Sequence, residues 1–162
     1  MSFPLYRQPY ILAAGVWIFT VSFFGGLLTD IGPWYLTLKQ PDWKPPDWAF
    51  GIIWTTIFVC AGFCWSLTWR ACNSKQQKTT LAILFLLNGL LNLFWSVLYF
   101  RWHRPDWSLI EALFLWISVL AIMISCFKWS KQACLLMSPY LIWVTCAIAL
   151  NYETIRLNGP FK

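Results

Sequence analysis

The stretch TTLAILFLLNGLLNLFWSVLYF, residues 79–100, decides how this chain must fold. Its 22 residues contain no Asp, Glu, Lys or Arg, and apolar side chains surround two asparagines, Asn88 and Asn92. At about 1.5 Å per residue, a helix of this length crosses the roughly 30 Å hydrocarbon core of a bilayer. The stretch therefore predicts a membrane-spanning helix that carries amide groups inside the membrane.

Other apolar stretches extend this prediction to the whole chain. Residues 8–29, 48–69 and 132–152 are also free of charged side chains. Residues 112–127 are shorter and need residues 106–111 as first turns, which suits a helix that begins at a proline followed by acids. We therefore predict an all-α membrane protein, a five-transmembrane-helix bundle forming one domain (1–162), with spans at about 8–29, 48–69, 79–100, 106–127 and 132–155.

Composition and charge support a membrane protein and exclude other classes. The 162 residues are 59% hydrophobic and only 11% charged, with a mean hydropathy of +0.59. The first apolar run is too long for a signal-peptide core, so we expect it to stay in the mature protein. Alternating loops put six Lys and Arg on each side of the membrane, so the positive-inside rule gives no orientation.

The two faces of the predicted bundle nevertheless differ in charge. All six Asp and Glu fall on the side that holds residues 30–47, which we call the acid-bearing face; the other side is the basic face. The net charge of +6 is therefore the charge of the basic face. This predicts contact with the anionic headgroups of the lipid bilayer and does not point to nucleic acid.

The first loop, residues 30–47, is long and stiff. It carries most of the segment KQPDWKPPDW (39–48), whose prolines cannot continue a helix. Its aromatic side chains, including Tyr35 and Trp43, favour the membrane interface. A rigid connector with an aromatic belt accounts for such residues, but the length of this loop among short connections favours a lid over a pocket.

Polar residues inside the spans indicate what the loop covers. Two stripes follow helical spacing, Asn88, Asn92, Trp95 and Tyr99 in the third span and Tyr140, Trp143, Ala147 and Asn151 in the fifth. Amides facing lipid would lack partners, so both stripes should face inward. Trp54, Asn92 and Trp143 lie at one depth, about 9 to 14 Å from the acid-bearing face. A pocket for a flat apolar ligand and simple interhelical hydrogen bonding both explain this pattern.

Three segments carry a resemblance to a known family. WYLTLKQPDWKPPDWAFGIIW (34–54), LLNGLLNLFWSVLYF (86–100) and SPYLIWVTCAIALNYETIRLN (138–158) resemble the TspO/translocator protein family, also called the peripheral benzodiazepine receptor family. The resemblance covers about residues 10–158, and the length is similar to that of bacterial members. It implies a five-helix bundle that binds tetrapyrroles such as protoporphyrin IX, with cholesterol and benzodiazepine-type ligands in animal members, and a homodimer.

The resemblance also implies site residues and a chemistry. The ligand pocket would include Tyr35, Trp43, Trp54, Phe58, Asn88, Asn92, Trp143, Ala147 and Asn151. Trp54 and Trp143 match tryptophans implicated in light-dependent oxidative breakdown of protoporphyrin by bacterial members. Porphyrin would be ligand or substrate, light and oxygen would drive the degradation, and no resident cofactor is expected. True turnover and a photosensitised side reaction of a binding protein both fit the resemblance.

Other features carry weaker signals. Leu150, Tyr152 and Arg156 satisfy the cholesterol-recognition pattern L-x-Y-x-x-x-R, although such residues are also expected as interface anchors. His103 is the only histidine, the six cysteines show no zinc spacing, and no metal site is expected. Pro139 predicts a bend in the fifth span, because it leaves the Leu135 carbonyl without its helical partner.

Small residues predict where helices approach closely. Ala13, Ala14 and Gly15 in the first span and Gly89 in the third allow close packing. Three functions stay open: a tetrapyrrole receptor or sensor with photo-oxidative degradation, a transporter of porphyrins or other apolar molecules, and a ligand-switched regulator of a membrane partner. No ionisable residue is expected deep in a span, which favours the receptor over an ion-coupled carrier.

Overall fold

The computed structural model describes residues 8–161, which form helices and connections with no strand among them. The helices are α1 (Pro9–Leu28), α2 (Pro33–Thr37), α3 (Asp47–Ala71), α4 (Lys75–Ser96), α5 (Pro105–Trp129), α6 (Lys131–Leu136) and α7 (Ser138–Asn158). A π-helical turn, Val97–Arg101, continues α4. Five helical stretches are long and apolar enough to cross a membrane. The prediction of an all-α protein with five transmembrane helices is confirmed.

The five spans form a ring. The first span, α1, packs between the second span, α3, and the third span, α4. The fourth span, α5, packs against α4 and α7, and α6 closes the ring by contacting α3 and α5. The core is solid in the half nearer the basic face, where Ala61, Leu81, Phe85, Ile122 and Ala133 are fully buried. Any internal space must therefore lie in the other half.

Helix starts follow from local sequence. Pro9, Pro33 and Pro105 each stand in a first turn, where a missing backbone N–H costs no hydrogen bond. α4 begins with a capping box: the Gln77 backbone N–H donates to the Ser74 hydroxyl at 3.2 Å, and the Ser74 N–H donates to the Gln77 amide oxygen at 3.2 Å. These signals fix the ends of the spans to within a few residues of the predicted boundaries.

The fifth span differs from the prediction of one bent helix. It is broken: α6 ends at Leu136, Met137 separates the two helices, and Pro139 lies in the first turn of α7. The Leu135 carbonyl, expected to lose its partner, accepts a hydrogen bond from the Ser138 hydroxyl at 2.6 Å. A proline is tolerated better at a new helix start than inside a helix, which explains the break.

Close helix approach occurs at one of the predicted glycines. A Cβ atom on Gly89 would lie 2.8 Å from the Trp17 Nε1 atom and 3.0 Å from the Val21 Cγ2 atom of α1. The Trp17 indole N–H donates to the Phe85 carbonyl at 2.8 Å, so the ring cannot move away freely. Gly15 has no heavy atom near its missing Cβ, and the prediction of close packing there is wrong. The expected homodimer stays a prediction.

Candidate functional site

A cavity of about 520 Å³ lies inside the bundle, in the half nearer the acid-bearing face. All five spans contribute to its wall, and the first loop adds to it. This volume is typical of sites for small organic ligands. The principal lining residues are Ser22, Gly25 and Thr29 of α1, Phe50, Trp54 and Phe58 of α3, Asn92 and Trp95 of α4, Ala112 and Leu115 of α5, Trp143 and Ala147 of α7, and Tyr35 of the loop.

One wall of the cavity is aromatic. The Trp54 ring stacks on Phe58 with centroids 5.4 Å apart and stands nearly perpendicular to Trp143 at 6.5 Å. The Phe50 ring also packs edge to face against Trp143, with ring centroids 5.4 Å apart. Trp143 is only 8% exposed, and its indole N–H has no hydrogen-bond partner. The wall thus offers ring faces to a planar guest, whereas the Trp143 N–H is enclosed by protein.

The wall of the cavity also carries an amide. Asn92 lines the cavity, and its amide N–H donates to the Tyr140 hydroxyl at 3.2 Å. Asn88, one turn deeper, donates instead to the Ser118 hydroxyl at 2.9 Å and lies outside the cavity. The two asparagines therefore differ: one faces the cavity, and the other joins α4 to α5.

Asn151 holds helices together. Its side-chain oxygen accepts hydrogen bonds from the Trp95 indole N–H at 3.2 Å and the Ser108 hydroxyl at 2.8 Å. Its amide N–H donates to the Pro105 carbonyl at 2.8 Å. One buried side chain thereby ties α7 to α4 and to the start of α5, and it does not line the cavity.

The first loop contributes Tyr35, and Asp47 at its end, to the wall of the cavity. The Tyr35 hydroxyl donates to the Asp47 carboxylate at 3.5 Å, and the Lys44 ammonium forms an ion pair with the same carboxylate. Burial lowers the pKa of Lys44, but hydrogen bonds to Asp47 and Tyr35 outweigh it, so the pKa is raised from its ordinary value. Lys44 therefore carries its charge at neutral pH and holds Tyr35 and Asp47 together.

Two further contacts fasten the loop to the spans. The Asn158 side-chain oxygen accepts the Lys39 backbone N–H at 2.7 Å, and its amide donates to the Lys39 carbonyl at 2.9 Å. Trp34 of α2 stacks on His103 with centroids 4.1 Å apart. His103 has a positive φ of 55°, uncommon for a residue other than glycine. Within the loop Pro33 starts the short helix α2, which was not predicted from the sequence.

The structure brings six of the nine predicted ligand residues to the cavity: Tyr35, Trp54, Phe58, Asn92, Trp143 and Ala147. Asn88 and Asn151 lie behind the wall with the partners described above. Trp43 lies on the outside of the loop and is 53% exposed. The two stripes face inward as predicted, because Asn88, Asn92, Tyr99, Tyr140, Trp143 and Asn151 are all buried.

The weaker candidates lie at the surface of the bundle. Tyr152 is exposed, and Arg156 pairs with Glu153 through an N–O distance of 2.7 Å. Leu150 is half-buried. Within residues 8–161, no three His, Cys, Asp or Glu side chains come together in a way that could hold a metal ion.

Two groups of interior residues were not predicted from the sequence. Ser22, Gly25 and Thr29 line the cavity from the first span at spacings of three and four residues, a pattern of small and polar residues that would have revealed this face. Glu111 was assigned to the first turns of the fourth span. It is only 4% exposed, and neither carboxyl oxygen has a hydrogen-bond partner. Glu111 lies near the start of α5, so the expectation that no ionisable residue lies deep in a span stays a prediction.

The five spans and the cavity they enclose define a multi-pass integral membrane protein. A sequence model of the TspO/MBR family matches residues 13–157, and the chain belongs to this family. It is 35% identical over 125 residues to the tryptophan-rich protein TspO of Chlorobaculum tepidum, covering 77% of this chain and 79% of the relative.

Two other relatives match over similar lengths. Protein CrtK of Rhodobacter capsulatus is 31% identical over 141 residues, which are 85% of this chain and 86% of the relative. The tryptophan-rich sensory protein of Cereibacter sphaeroides is 31% identical over 133 residues, or 82% of each chain. The resemblance found in the sequence is thereby confirmed.

Proposed function

We propose that this protein is a membrane receptor or sensor that binds a planar tetrapyrrole such as protoporphyrin IX in its cavity. The observation that carries the proposal is the wall formed by Trp54, Phe58 and Trp143 around a space of about 520 Å³. A flat, largely apolar macrocycle buries its faces against such rings. Membership of a family that includes a relative named as a sensory protein supports the same class of function.

Polar groups around the cavity suit the edge of such a ligand. The Asn92 amide lines the cavity and has a second N–H besides the one it donates to the Tyr140 hydroxyl. Ring nitrogens and carboxylates of a porphyrin are acceptors that match this donor. The ring of Tyr35 and the Asp47 carboxylate lie at the loop end, where the Lys44 ammonium supplies a positive charge beside them.

We further propose that bound porphyrin is degraded in light, with Trp54 and Trp143 as electron donors. An excited porphyrin takes one electron from an indole, and molecular oxygen is the oxidant consumed as the macrocycle is broken down. A guest in the cavity lies beside the indoles of both Trp54 and Trp143. Proximity therefore supplies most of the gain in the rate of electron transfer. The two rings are nearly perpendicular. A planar ligand that stacks on one indole therefore contacts the other indole with its edge.

The test is a dark titration of purified protein with protoporphyrin IX, followed by illumination in air with absorption spectra recorded over time. Trp54→Phe and Trp143→Phe are expected to bind porphyrin but to bleach it at least tenfold more slowly. Trp48→Phe is the matched control, because Trp48 lies in the same helix as Trp54 yet is 71% exposed. Equal bleaching by all four proteins overturns the photochemical proposal, while absent dark binding overturns the receptor proposal itself.

Glu111 favours a second function, a carrier of porphyrins or other apolar molecules. A buried carboxyl group inside a span is typical of proton-linked transport, and Glu111 lies beside Ala112, which lines the cavity. Flux of protoporphyrin IX into sealed vesicles with a pH gradient tests this function. Saturable, gradient-dependent flux that Glu111→Gln abolishes supports the carrier; flux that does not differ from that of protein-free vesicles excludes it.

A further inference from the structure

Two cysteines meet in the half of the bundle nearer the basic face, outside the cavity. The sulfur atoms of Cys64 in α3 and Cys126 in α5 lie 3.5 Å apart, although the residues are 62 positions apart in the chain. Both side chains are fully buried, and neither lines the cavity. The spacing of cysteines in the sequence gave no hint of this pair, because a contact between two spans leaves no local motif.

The surroundings distinguish the two sulfur atoms. The Thr68 hydroxyl, also fully buried, donates a hydrogen bond to the Cys126 sulfur at 3.3 Å. A hydrogen-bond donor beside a thiol stabilises the negative charge that develops on the sulfur when it attacks. Thr68 lies one turn after Cys64 on α3, so the same helix supplies both the partner thiol and the donor. This arrangement favours Cys126 as the attacking sulfur.

The two thiols join two spans of the bundle. A buried cysteine usually acts as a small apolar side chain, and any one of these could be such a residue. Here two thiols contact each other between α3 and α5, two spans with little other direct contact. Cysteine sulfurs joined in a disulfide lie about 2.0 Å apart, so a relative movement of about 1.5 Å would bring these two to bonding distance.

We propose that Cys64 and Cys126 form a redox-active dithiol that a small, membrane-permeable hydroperoxide oxidises to a disulfide between the second and fourth spans. The burial of both thiols selects a small uncharged oxidant over a charged or bulky one. The pair lies in the solid half of the core, so this site is separate from the cavity and independent of the function proposed for it.

The chemistry is a balanced two-electron oxidation. The Cys126 sulfur attacks the outer peroxide oxygen, the O–O bond breaks, the thiol proton goes to the departing alkoxide, and Cys126 becomes a sulfenic acid with release of an alcohol. The Cys64 sulfur then attacks the sulfur of the sulfenic acid. The S–S bond forms as the hydroxyl group leaves and takes the Cys64 proton to form water. Two thiols and one hydroperoxide thus give one disulfide, one alcohol and one water.

The test treats the full-length protein in lipid nanodiscs, in the dark and without porphyrin, with graded ethyl hydroperoxide, a small uncharged oxidant. Thiols are counted after denaturation, and peptides from a non-reducing digest are identified by mass spectrometry. We expect the peptides carrying Cys64 and Cys126 to become cross-linked, and a thiol reductant to release them. No such cross-link in a sample whose exposed Cys146 is oxidised, or cross-links mainly between other cysteines, overturns the proposal.

Variants assign the roles of the two thiols. Cys64→Ser is expected to abolish the cross-link and to leave Cys126 as a sulfenic acid that a dimedone-type probe traps. Cys60→Ser is the matched control, because Cys60 lies one turn before Cys64 and is only half-buried; it should keep the cross-link. Trapping at Cys64 in Cys126→Ser at the same rate would contradict the assigned order of attack. The wild-type cross-link decides the main proposal even if a variant folds poorly.

Discussion

The indole rings of Trp54 and Trp143 stand edge to face across the interior, with centroids 6.5 Å apart and planes inclined by 88°. Trp54 belongs to the second span and Trp143 to the fifth, and these spans meet mainly through α6 near the basic face. Toward the acid-bearing face, aromatic side chains take the place of direct helix contact. The cavity is the space that this arrangement leaves among the five spans.

Asn92 and Tyr140 should be energetically coupled, because the Asn92 amide donates to the Tyr140 hydroxyl at 3.2 Å inside the bundle. Asn92→Ala and Tyr140→Phe each remove one side of this bond and are expected to destabilise the protein. The double mutant should be more stable than the sum of the single effects predicts, by about 0.6 kcal/mol and at most ~1.7 kcal/mol. Reversible unfolding in mixed micelles measures this cycle, and strict additivity would argue against the bond.

Gly89→Ala should lower stability by about 1–3 kcal/mol, because the added methyl group would lie 2.8 Å from the Trp17 Nε1 atom. The indole is held by its hydrogen bond to Phe85, so relief requires α1 to move. Gly15→Ala is the matched control with open space around its Cβ, and it should gain stability by about 0.5–1 kcal/mol. The unfolding free energies of both variants in the same detergent make the comparison; equal losses would contradict the packing.

Asn158→Ala should free the first loop without loosening the spans. The change removes both hydrogen bonds to the Lys39 backbone, which lies 119 residues away in the chain. Amide hydrogen exchange in residues 38–46 is expected to accelerate several-fold, while exchange in α4 and α5 stays unchanged. Asn73→Ala, at the opposite face, serves as the control. Unaltered exchange of the loop in Asn158→Ala would mean that other contacts hold it.

Asn151→Ala should affect stability more than ligand binding. Its amide makes three hydrogen bonds that join α7 to α4 and α5, and none of its atoms lines the cavity. Removing it leaves the Trp95 indole N–H without its acceptor, which is expected to cost about 1–3 kcal/mol. The porphyrin dissociation constant of the folded fraction should change less than twofold. A tenfold loss of affinity at unchanged stability would assign Asn151 to the ligand.

Much of the fold could be predicted because the bilayer imposes a simple length rule. A charge-free run such as 79–100 has one structure available in lipid, since only a helix satisfies its backbone groups internally. The same logic predicted that Asn92 and Trp143 face inward at one depth. The break at Pro139 was harder, because Ser138 supplies the missing donor to Leu135, and the sequence does not reveal that the helix restarts there.

The details of the site depend on contacts between distant segments. Asn88 and Asn92 are one turn apart and chemically identical, yet only Asn92 meets the cavity, because Ser118 of α5 takes the amide of Asn88. Glu111 is close to a helix start in sequence, but α5 enters the bundle at once and buries it. Such differences arise from how the spans pack around one another. The spacing of residues within a single span does not predict this packing.

A planar ligand is proposed to occupy the cavity between the spans. A substitution that fills this cavity tests the proposal. Ala147 lines the cavity, whereas Ala149 of the same helix faces outward. Binding of protoporphyrin IX in the dark is measured by tryptophan quenching for Ala147→Trp and Ala149→Trp. We predict that Ala147→Trp binds protoporphyrin IX at least tenfold more weakly and that Ala149→Trp binds it with unchanged affinity. Equal affinity of both variants and the wild type would contradict it.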